Sequence, residues 1–264
     1  GGSWTQDKSM VIEQRYKKIT DKLYVYDYYI NGVKTPDLFD NNGKAITGEI
    51  AVNPVKTTST GYDIFGNVTN TTTTTYYTLY KGKLVTTQAV SETTSTDLLG
   101  NDTTSTSTTT YTYTKTDKLW TYDTIVTESK SSGTDLYGGS WTQLEAMVIT
   151  QKYKKVDGKN LYVYDYIING KTYTLFNANG TPITAEIPVT GIVTHSTGTD
   201  IFGNVTNTVT ATDYVLKLGK LVTTKAVSET TSTDLLGNDT KSTSTTTYNY
   251  TKTDKLWTYD TIVT

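Results

Sequence analysis

Apolar and polar residues alternate along much of the chain with a period of two, which is the pattern of β-strands. Trp120, Tyr122, Thr124 and Val126, for example, would share one face of a strand. Alternating stretches of about 10 to 14 residues are separated by short polar turns, which indicates long strands in antiparallel pairs. The segment 141–155 comes nearest to a helical pattern, but its Trp and β-branched residues favour a strand. We predict an all-β fold, an elongated meander or hairpin array of long antiparallel strands.

The chain contains two near-identical copies of one sequence. The opening segment GGSWTQDKSMVIEQRYKK returns as GGSWTQLEAMVITQKYKK at 138–155, an offset of 137 residues. The same offset relates 91–127 to 228–264, which differ by two substitutions. Because the identity includes Thr and Ser positions that a core does not require, we interpret it as a tandem duplication and expect a longer array. We call residues 1–137 copy 1 and residues 138–264 copy 2.

Two kinds of turn alternate within each copy. One has Asp, then Ile or Leu, then any residue, then Gly, and occurs five times; we call these five the Asp-x-x-Gly turns. The other precedes a Lys-Leu or Asn-Leu pair that restarts a strand. The alternation is interrupted at about 31–60 and 169–198, where we predict an additional short hairpin that protrudes from the sheet or caps it. All four prolines fall in these intervals. Because proline cannot donate a hydrogen bond to a sheet ladder, we expect the long strands to be free of it.

The five Asp-x-x-Gly turns place one acidic residue at the same position each time. These residues are candidate calcium ligands, since carboxylate and Asn carbonyl oxygens suit a hard cation. The alternative is turn chemistry, in which Asp accepts hydrogen bonds from its own turn and Gly adopts a positive φ. We favour turn chemistry and predict no metal site; the five residues are Asp63, Asp97, Asp135, Asp200 and Asp234.

The composition adds a strong bias towards β-structure. Thr accounts for 61 of the 264 residues and Tyr for 22, and both favour strands. The chain has no Cys, which excludes disulfides, Cys-ligated metals and a thiol nucleophile. A net charge of -2 gives no argument for nucleic-acid binding. No run of residues is apolar enough to predict a membrane span, and the opening residues do not form a signal peptide.

The sequence offers little for catalysis. Its single histidine, His195, corresponds to Thr58 in copy 1, so a catalytic base would be present in only one copy. No phosphate-binding loop, dinucleotide fingerprint or nucleophile elbow is present, and no acidic pair stands out. We therefore predict no catalytic residues, no cofactor and no enzymatic activity.

Thr-rich strands can bury little against a second layer. Cross-strand pairs between Thr residues would still contribute a few tenths of a kcal/mol each, summed over many positions. We expect the apolar seam to include Trp4, Trp120, Trp141 and Trp257 together with rows of Tyr. Exposed strand edges at the copy boundaries would let the segment GGSWTQ pair with a neighbouring copy or chain.

Three features of the sequence resemble known repeats. Tyr62, Asp63 and Gly66, followed by a Thr-rich strand, resemble a YD repeat of the Rhs type, and 108–117 is similar to the strand that precedes such a turn. The segment LFDNNGKAITGE at 38–49 is similar to the hairpin of cell-wall-binding and glucan-binding repeats. Near-identical, Cys-free, Thr-rich β-repeats resemble the stalks of microbial surface adhesins and extracellular filaments. This resemblance implies an extracellular or cell-surface location.

Two functional hypotheses remain open from the sequence. In the first, the chain is a structural repeat of an extracellular fibre, sheath or adhesin stalk that acts as a spacer or self-assembles into a homo-oligomer or filament through strand edges. In the second, it is a surface module that binds a glycan with its Tyr and Trp rows.

Overall fold

The computed structural model describes residues 3–19, 21–63, 65–116, 120–156, 158, 160–217, 219–252 and 257–264. Every regular element in these ranges is a β-strand and the strands are antiparallel, so the predicted fold class is confirmed. The strands are β1 (Ser3–Lys8), β2 (Ile12–Ile19), β3 (Lys22–Ile30), β4 (Val33–Lys34), β5 (Glu49–Tyr62), β6 (Val68–Tyr80), β7 (Lys83–Thr96), β8 (Asp102–Lys115), β9 (Trp120–Thr134), β10 (Ser140–Gln143), β11 (Met147–Val156), β12 (Asn160–Ile168), β13 (Lys171–Thr174), β14 (Ile187–Thr199), β15 (Val205–Lys217), β16 (Lys220–Thr233), β17 (Asp239–Lys252) and β18 (Trp257–Val263).

Tight turns set the lengths and pairing of these strands. β6 and β7 are joined by two residues, Lys81 and Gly82, with φ angles of 47° and 74°. Asn31 and Gly32 join β3 to β4 in the same way, with φ angles of 50° and 77°. Two consecutive positive φ angles match the right-handed twist of the flanking strands, which is why such turns favour Asn and Gly. The local sequence therefore fixes the strand register at these ends.

The chain packs as two units, and the first comprises residues 1–98 and 104–112. In it, β5, β6 and β7 form an antiparallel meander, and β1 pairs with the outer edge of β5. The strands β2, β3 and β4 form a separate three-stranded sheet with β2 at one edge.

The second unit comprises residues 99–103 and 113–264. The strands β14 to β18 form an antiparallel meander, and β10 lies between β14 and β9. In contrast to its counterpart β2, β11 pairs on one side with β12 and on the other with β9. The segment 141–155 is thus divided between β10 and β11, which confirms that it is strand and not helix.

Each unit has a small hydrophobic core at the same sequence positions. In the first unit, Tyr28, Ile30 and Leu38 pack with Val55 and Leu79. The second unit buries the corresponding residues together with the insert residue Phe176, whose ring stacks on Tyr164 at a centroid distance of 5.2 Å. The tip of the insert forms a short hairpin in both copies, with bridges between Phe39 and Ala45 and between Phe176 and Pro182. The apolar residues at the base of this hairpin belong to the core of their unit. The buried core residues of the second unit are Tyr166, Ile168, Tyr173, Leu175, Phe176, Val189, Ile192 and Leu216.

The Thr-rich strands are linked by rows of side-chain hydroxyls. Between β6 and β7, Thr71 and Thr93 lie 3.0 Å apart and Thr73 and Ser91 lie 2.9 Å apart. The counterparts between β15 and β16 repeat these distances, 3.0 Å for Thr208 and Thr230 and 2.9 Å for Thr210 and Ser228. These contacts are the cross-strand Thr pairs that the sequence predicts, and each contributes a few tenths of a kcal/mol.

The expectation about proline is wrong for two of the four residues. Pro54 lies inside β5 and Pro188 inside β14. Both strands contain a bulge, where the pairing of β5 with β6 skips from Val52 to Val55 and that of β14 with β15 skips from Val189 to Ile192. Pro54 occupies the bulge, where an extra residue need not donate to the ladder, and Pro188 lies just before the other one.

Candidate functional site

The five Asp-x-x-Gly turns close the ends of β5, β7, β9, β14 and β16. In the turn after β16, one carboxylate oxygen of Asp234 accepts hydrogen bonds from the backbone N–H groups of Leu236 and Asn238, at 2.9 and 2.8 Å. The other oxygen accepts one from the Asn238 side chain at 2.8 Å, and Gly237 has a φ of 84°. The carboxylate thus holds its own turn closed.

The other turns repeat this arrangement. Asp63 and Asp200 accept the same three hydrogen bonds, and Asp135 accepts the two backbone ones. Asp97 begins the fifth turn, in which Gly100 has a φ of 87°. Within the ranges that the structure describes, no group of three or more acidic, His or Cys side chains is placed to hold a metal ion. In four of the five turns, the candidate carboxylate thus accepts hydrogen bonds from its own turn, as turn chemistry requires.

The turn carboxylates should make the stability of the protein depend on pH, with a loss of stability at low pH. The hydrogen bonds from Asn238 lower the pKa of Asp234 below its ordinary value of 3.8. For Asp63 and Asp200, desolvation is the largest single influence and raises the pKa, but the hydrogen bonds from their turns together outweigh it, so the pKa is also lowered. A lowered folded-state pKa contributes stability that is present above the ordinary pKa and lost as the pH falls through the folded-state value. The melting temperature should hold between pH 5 and 7 and fall below about pH 4.

Replacing Asp234 with Ala tests the origin of this dependence. We expect the melting temperature at pH 7 to fall by about 2 to 4 °C, because three hydrogen bonds to the turn are lost. The control is Asp260→Ala, which removes the same charge from an exposed strand residue and should change the melting temperature by less than about 1 °C. Melting curves measured with calcium and with a chelator should superimpose. A rise of the melting temperature in calcium that Asp234→Ala abolishes would identify a cation site instead.

Successive turns contact one another through the Asn residue that follows the turn Gly. The side-chain oxygen of Asn67 accepts a hydrogen bond of 3.3 Å from the N–H of Leu98, one turn further along. Asn101 does the same for Leu136 at 3.2 Å. The tips of these turns carry exposed apolar residues, among them Tyr137, which is 76% exposed. The Asn that follows the Gly thus links neighbouring turns.

His195 lies on the surface of the second unit. Its Nδ1 is 3.1 Å from a carboxylate oxygen of Glu145, and both side chains are about half exposed. Desolvation is the largest single influence on Glu145 and raises its pKa, but the hydrogen bonds and charge of His195 together outweigh it, so the pKa is lowered. The corresponding residues of copy 1 are Lys8 and Thr58, so the pair exists in one copy only. This geometry describes a surface hydrogen-bond contact between His195 and Glu145.

Trp141 is held between two glycines on neighbouring strands. It lies opposite Gly133 of β9 and opposite Gly198 of β14. A Cβ atom at Gly133 would collide with the indole nitrogen of Trp141, and one at Gly198 would lie 2.8 Å from the carbonyl oxygen of Ser140. Glycine at both positions therefore gives β10 the space to approach closely on both sides. We call Gly133, Trp141 and Gly198 the Trp clasp.

Copy 1 contains one half of the Trp clasp. Trp4 lies opposite Gly61 of β5, as Trp141 lies opposite Gly198. β1, however, is the edge strand of its sheet. Trp4 is accordingly 67% exposed, compared with 41% for Trp141. The expected apolar seam is therefore wrong for Trp4, while Trp257 lies outside the residues whose side chains the structure describes.

A polar groove lies beside the Trp clasp in the second unit. It has a volume of about 500 Å³. Its walls carry Asn101, Asp102, Asp135 and Asp200 and several Thr and Ser hydroxyls, and Trp141 contributes an aromatic surface. An aromatic ring among carboxylates and hydroxyls is chemically suited to a sugar, whose C–H face stacks on rings and whose hydroxyls form hydrogen bonds.

A row of aromatic side chains in contact with one another crosses the strands of the same unit. Tyr122 of β9 lies 5.1 Å from Tyr113 and 5.5 Å from Tyr153, measured between ring centroids. Trp120 lies 5.5 Å from Tyr113, with the Lys115 ammonium 4.4 Å from the indole centroid. The period-2 pattern predicts the Tyr rows, but the contacts between their rings depend on strand register.

Comparisons with known proteins do not place the chain in a family. No family model, no curated protein and no solved structure matches it. Within the described residues, no helix is long and apolar enough to cross a membrane.

Proposed function

We propose that this chain is a structural repeat of an extracellular fibre, sheath or adhesin stalk, which acts as a spacer or self-assembles. The observation that carries the proposal is the boundary between the two copies. The last strand of copy 1, β9, pairs with the first two strands of copy 2, β10 and β11. The connection between β9 and β10 is a hydrogen-bonded turn, in which Asp135 N–H donates to the Gly139 carbonyl at 2.9 Å. Paired strands therefore join successive copies, as in repeat proteins built from nearest-neighbour contacts.

The use of polar residues supports a structural role. Thr hydroxyls face one another across strands, and the turn carboxylates accept hydrogen bonds from their own turns. The one His pairs with a surface Glu that copy 1 lacks. We accordingly propose no catalytic activity. The Cys-free, Thr-rich composition supports an extracellular or cell-surface location, where long β-repeats serve as stalks.

Electron microscopy of the purified chain tests this function. At concentrations of about 10 to 100 μM, we expect rods or filaments whose length increases with concentration, as heterologous contacts between copies produce. Light scattering should show the same trend. Compact monomers at every concentration, combined with tight binding to a glycan on an array, would contradict the structural role.

The polar groove beside Trp141 supports a second candidate function, glycan binding. Its lining offers an aromatic ring and carboxylates within one site, and the neighbouring rings of Tyr113 and Tyr122 provide a further aromatic surface. A glycan array with the unmodified chain and with Trp141→Ala distinguishes this function from non-specific adhesion. Binding that is lost in Trp141→Ala but retained in Trp4→Ala would support it.

A further inference from the structure

The Asp-x-x-Gly turns of the second unit form a row of exposed apolar residues. The turns after β9, β14 and β16 lie at the same end of their strands. They contact one another, since a Cβ added to Gly203 would lie 3.2 Å from the side chain of Leu235 in the next turn. Contiguous apolar surface of this kind marks an interaction site. We call it the tip row, and its members, each at least 50% exposed, are Leu136, Tyr137, Ile201, Phe202, Leu235 and Leu236.

Carboxylates accompany the tip row. Asp135, Asp200 and Asp234 begin the three turns, and Asp239 follows the third. Aspartate is ionised at neutral pH, and the segments 135–140, 200–205 and 234–239 contain no Lys or Arg. The tip row therefore combines apolar side chains with negative charge, which repels nucleic acid, anionic membranes and the tip row of another molecule.

The opposite end of these strands carries positive charge. Lys217 ends β15 and Lys220 begins β16, and the two residues lie directly opposite each other. The carboxylate of Glu186 lies 3.9 Å from the Lys217 ammonium and offsets one charge. Like charges directly opposite each other are destabilising, so this end of the sheet favours an anionic partner. We call it the Lys row; its residues are Lys154, Lys155, Lys217, Lys220 and Lys252.

We propose that the tip row of one molecule binds the Lys row of a second copy of this chain. The ammonium groups of the Lys row pair with the turn carboxylates, and the methylene stems of the same side chains cover the apolar tips. The aromatic faces of Tyr137 and Phe202 also attract ammonium groups. This inference rests on the proposed structural function and specifies the contact by which copies assemble.

The spacing of the two rows favours a second copy over an unrelated basic partner. The turns after β14 and β16 and the connections after β15 and β17 belong to one meander. Successive turns at either end are therefore two strands, or about 10 Å, apart, and the opposite charges recur at the same interval. Because the two surfaces differ, the contact does not close on itself and can continue from molecule to molecule.

The first unit has the same distribution of apolar and charged residues. Phe65 and Leu98 are 69% and 72% exposed on its Asp-x-x-Gly turns. Lys81 and Lys83 lie at the opposite end of β6 and β7, in and after the turn that joins these strands. The contact thus uses turns that recur in each copy and requires no free strand edge.

Two double variants of the full chain test the contact. Phe202→Glu with Leu236→Glu blocks the tip row, and Lys155→Glu with Lys220→Glu blocks the Lys row; all four side chains are exposed. Sedimentation velocity measures association at about 10 to 100 μM. We expect the unmodified chain to form oligomers and each variant alone to associate about tenfold or more weakly. An equimolar mixture should form a 1:1 complex, because the first variant retains its Lys row and the second its tip row.

The matched control is Lys130→Glu with Lys225→Glu. It makes the same change of charge at exposed strand residues away from both rows and should associate like the unmodified chain. Melting temperatures within about 2 °C of the unmodified chain establish that each variant is folded.

Four outcomes would overturn the inference. Either double variant alone could associate as well as the unmodified chain; filaments in the microscope would then leave the structural role in place and assign assembly to another surface. Folded variants whose mixture forms no 1:1 complex would exclude the contact. Binding to neutral phosphatidylcholine vesicles without self-association, abolished by Phe202→Glu with Leu236→Glu, would assign the tip row to a membrane. Monomers at every concentration that bind a glycan tightly would reject the structural role as well.

Discussion

Replacing Leu216 with Ala is expected to lower the free energy of unfolding of the second unit by about 3 to 5 kcal/mol. Leu216 is 0% exposed and packs in the small core of the second unit, so its removal leaves a cavity that the surrounding side chains fill only in part. Chemical denaturation followed by far-UV circular dichroism measures the loss. The control is Leu236→Ala, since Leu236 is 88% exposed and should contribute less than about 0.5 kcal/mol.

The duplicated sequence supplies a matched variant for the first unit. Leu79 is the counterpart of Leu216 and is also 0% exposed, so Leu79→Ala should cause a loss of similar size. A loss below about 1 kcal/mol in both variants would contradict the two cores and would mean that the Thr-rich strands alone hold the units together.

Replacing Gly198 with Ala is expected to destabilise the protein, although the same change at its counterpart Gly61 should not. A Cβ at Gly198 would lie 2.8 Å from the Ser140 carbonyl oxygen, a contact that only a backbone shift can relieve. The expected loss is about 1 to 3 kcal/mol. At Gly61 the nearest atoms would lie 3.6 Å away or more, so Ala fits and reduces the freedom of the unfolded chain. We expect Gly61→Ala to be neutral or to stabilise by up to about 1 kcal/mol.

Association between chains would change the measured stabilities of the Gly61→Ala and Gly198→Ala variants. Both variants should be measured at a concentration at which light scattering shows monomers. Equal effects of Gly61→Ala and Gly198→Ala would contradict the view that β10 is held between two strands and β1 by one.

The features that the sequence predicts correctly are those that neighbouring residues determine. Period-2 patterning and Gly-containing turns depend on residues a few positions apart, so the strands and the Asp turns follow from the sequence. The prediction for proline is wrong because a bulge depends on two strands together. In the sequence, Pro54 indicates a break in a strand. In the structure, β6 pairs with β5 on both sides of Pro54, so the strand continues through a bulge.

The Trp clasp could not be predicted for the same reason. Gly133 and Trp141 flank the turn at 135–139, but Gly198 meets Trp141 only through the pairing of β10 with β14, which are far apart in sequence. An isolated Gly in a strand, as in the segments SSGT and STGT, was the one available signal of a close approach. The sequence also predicts similar burial for Trp4 and Trp141, because it does not show which strand lies at an edge.

Hydrogen exchange at the boundary between the copies tests the central claim, that successive copies are joined by paired strands. Residues 3–5 and 140–142 have the same sequence and the same neighbours, so their intrinsic exchange rates are equal. In the monomer, we expect every amide of residues 140–142 to exchange about tenfold or more slowly than the fastest amide of residues 3–5, because β10 has a partner strand on both sides and β1 is an edge strand. Equally fast exchange in both segments would show that the copies are connected by an unpaired linker and would contradict the account.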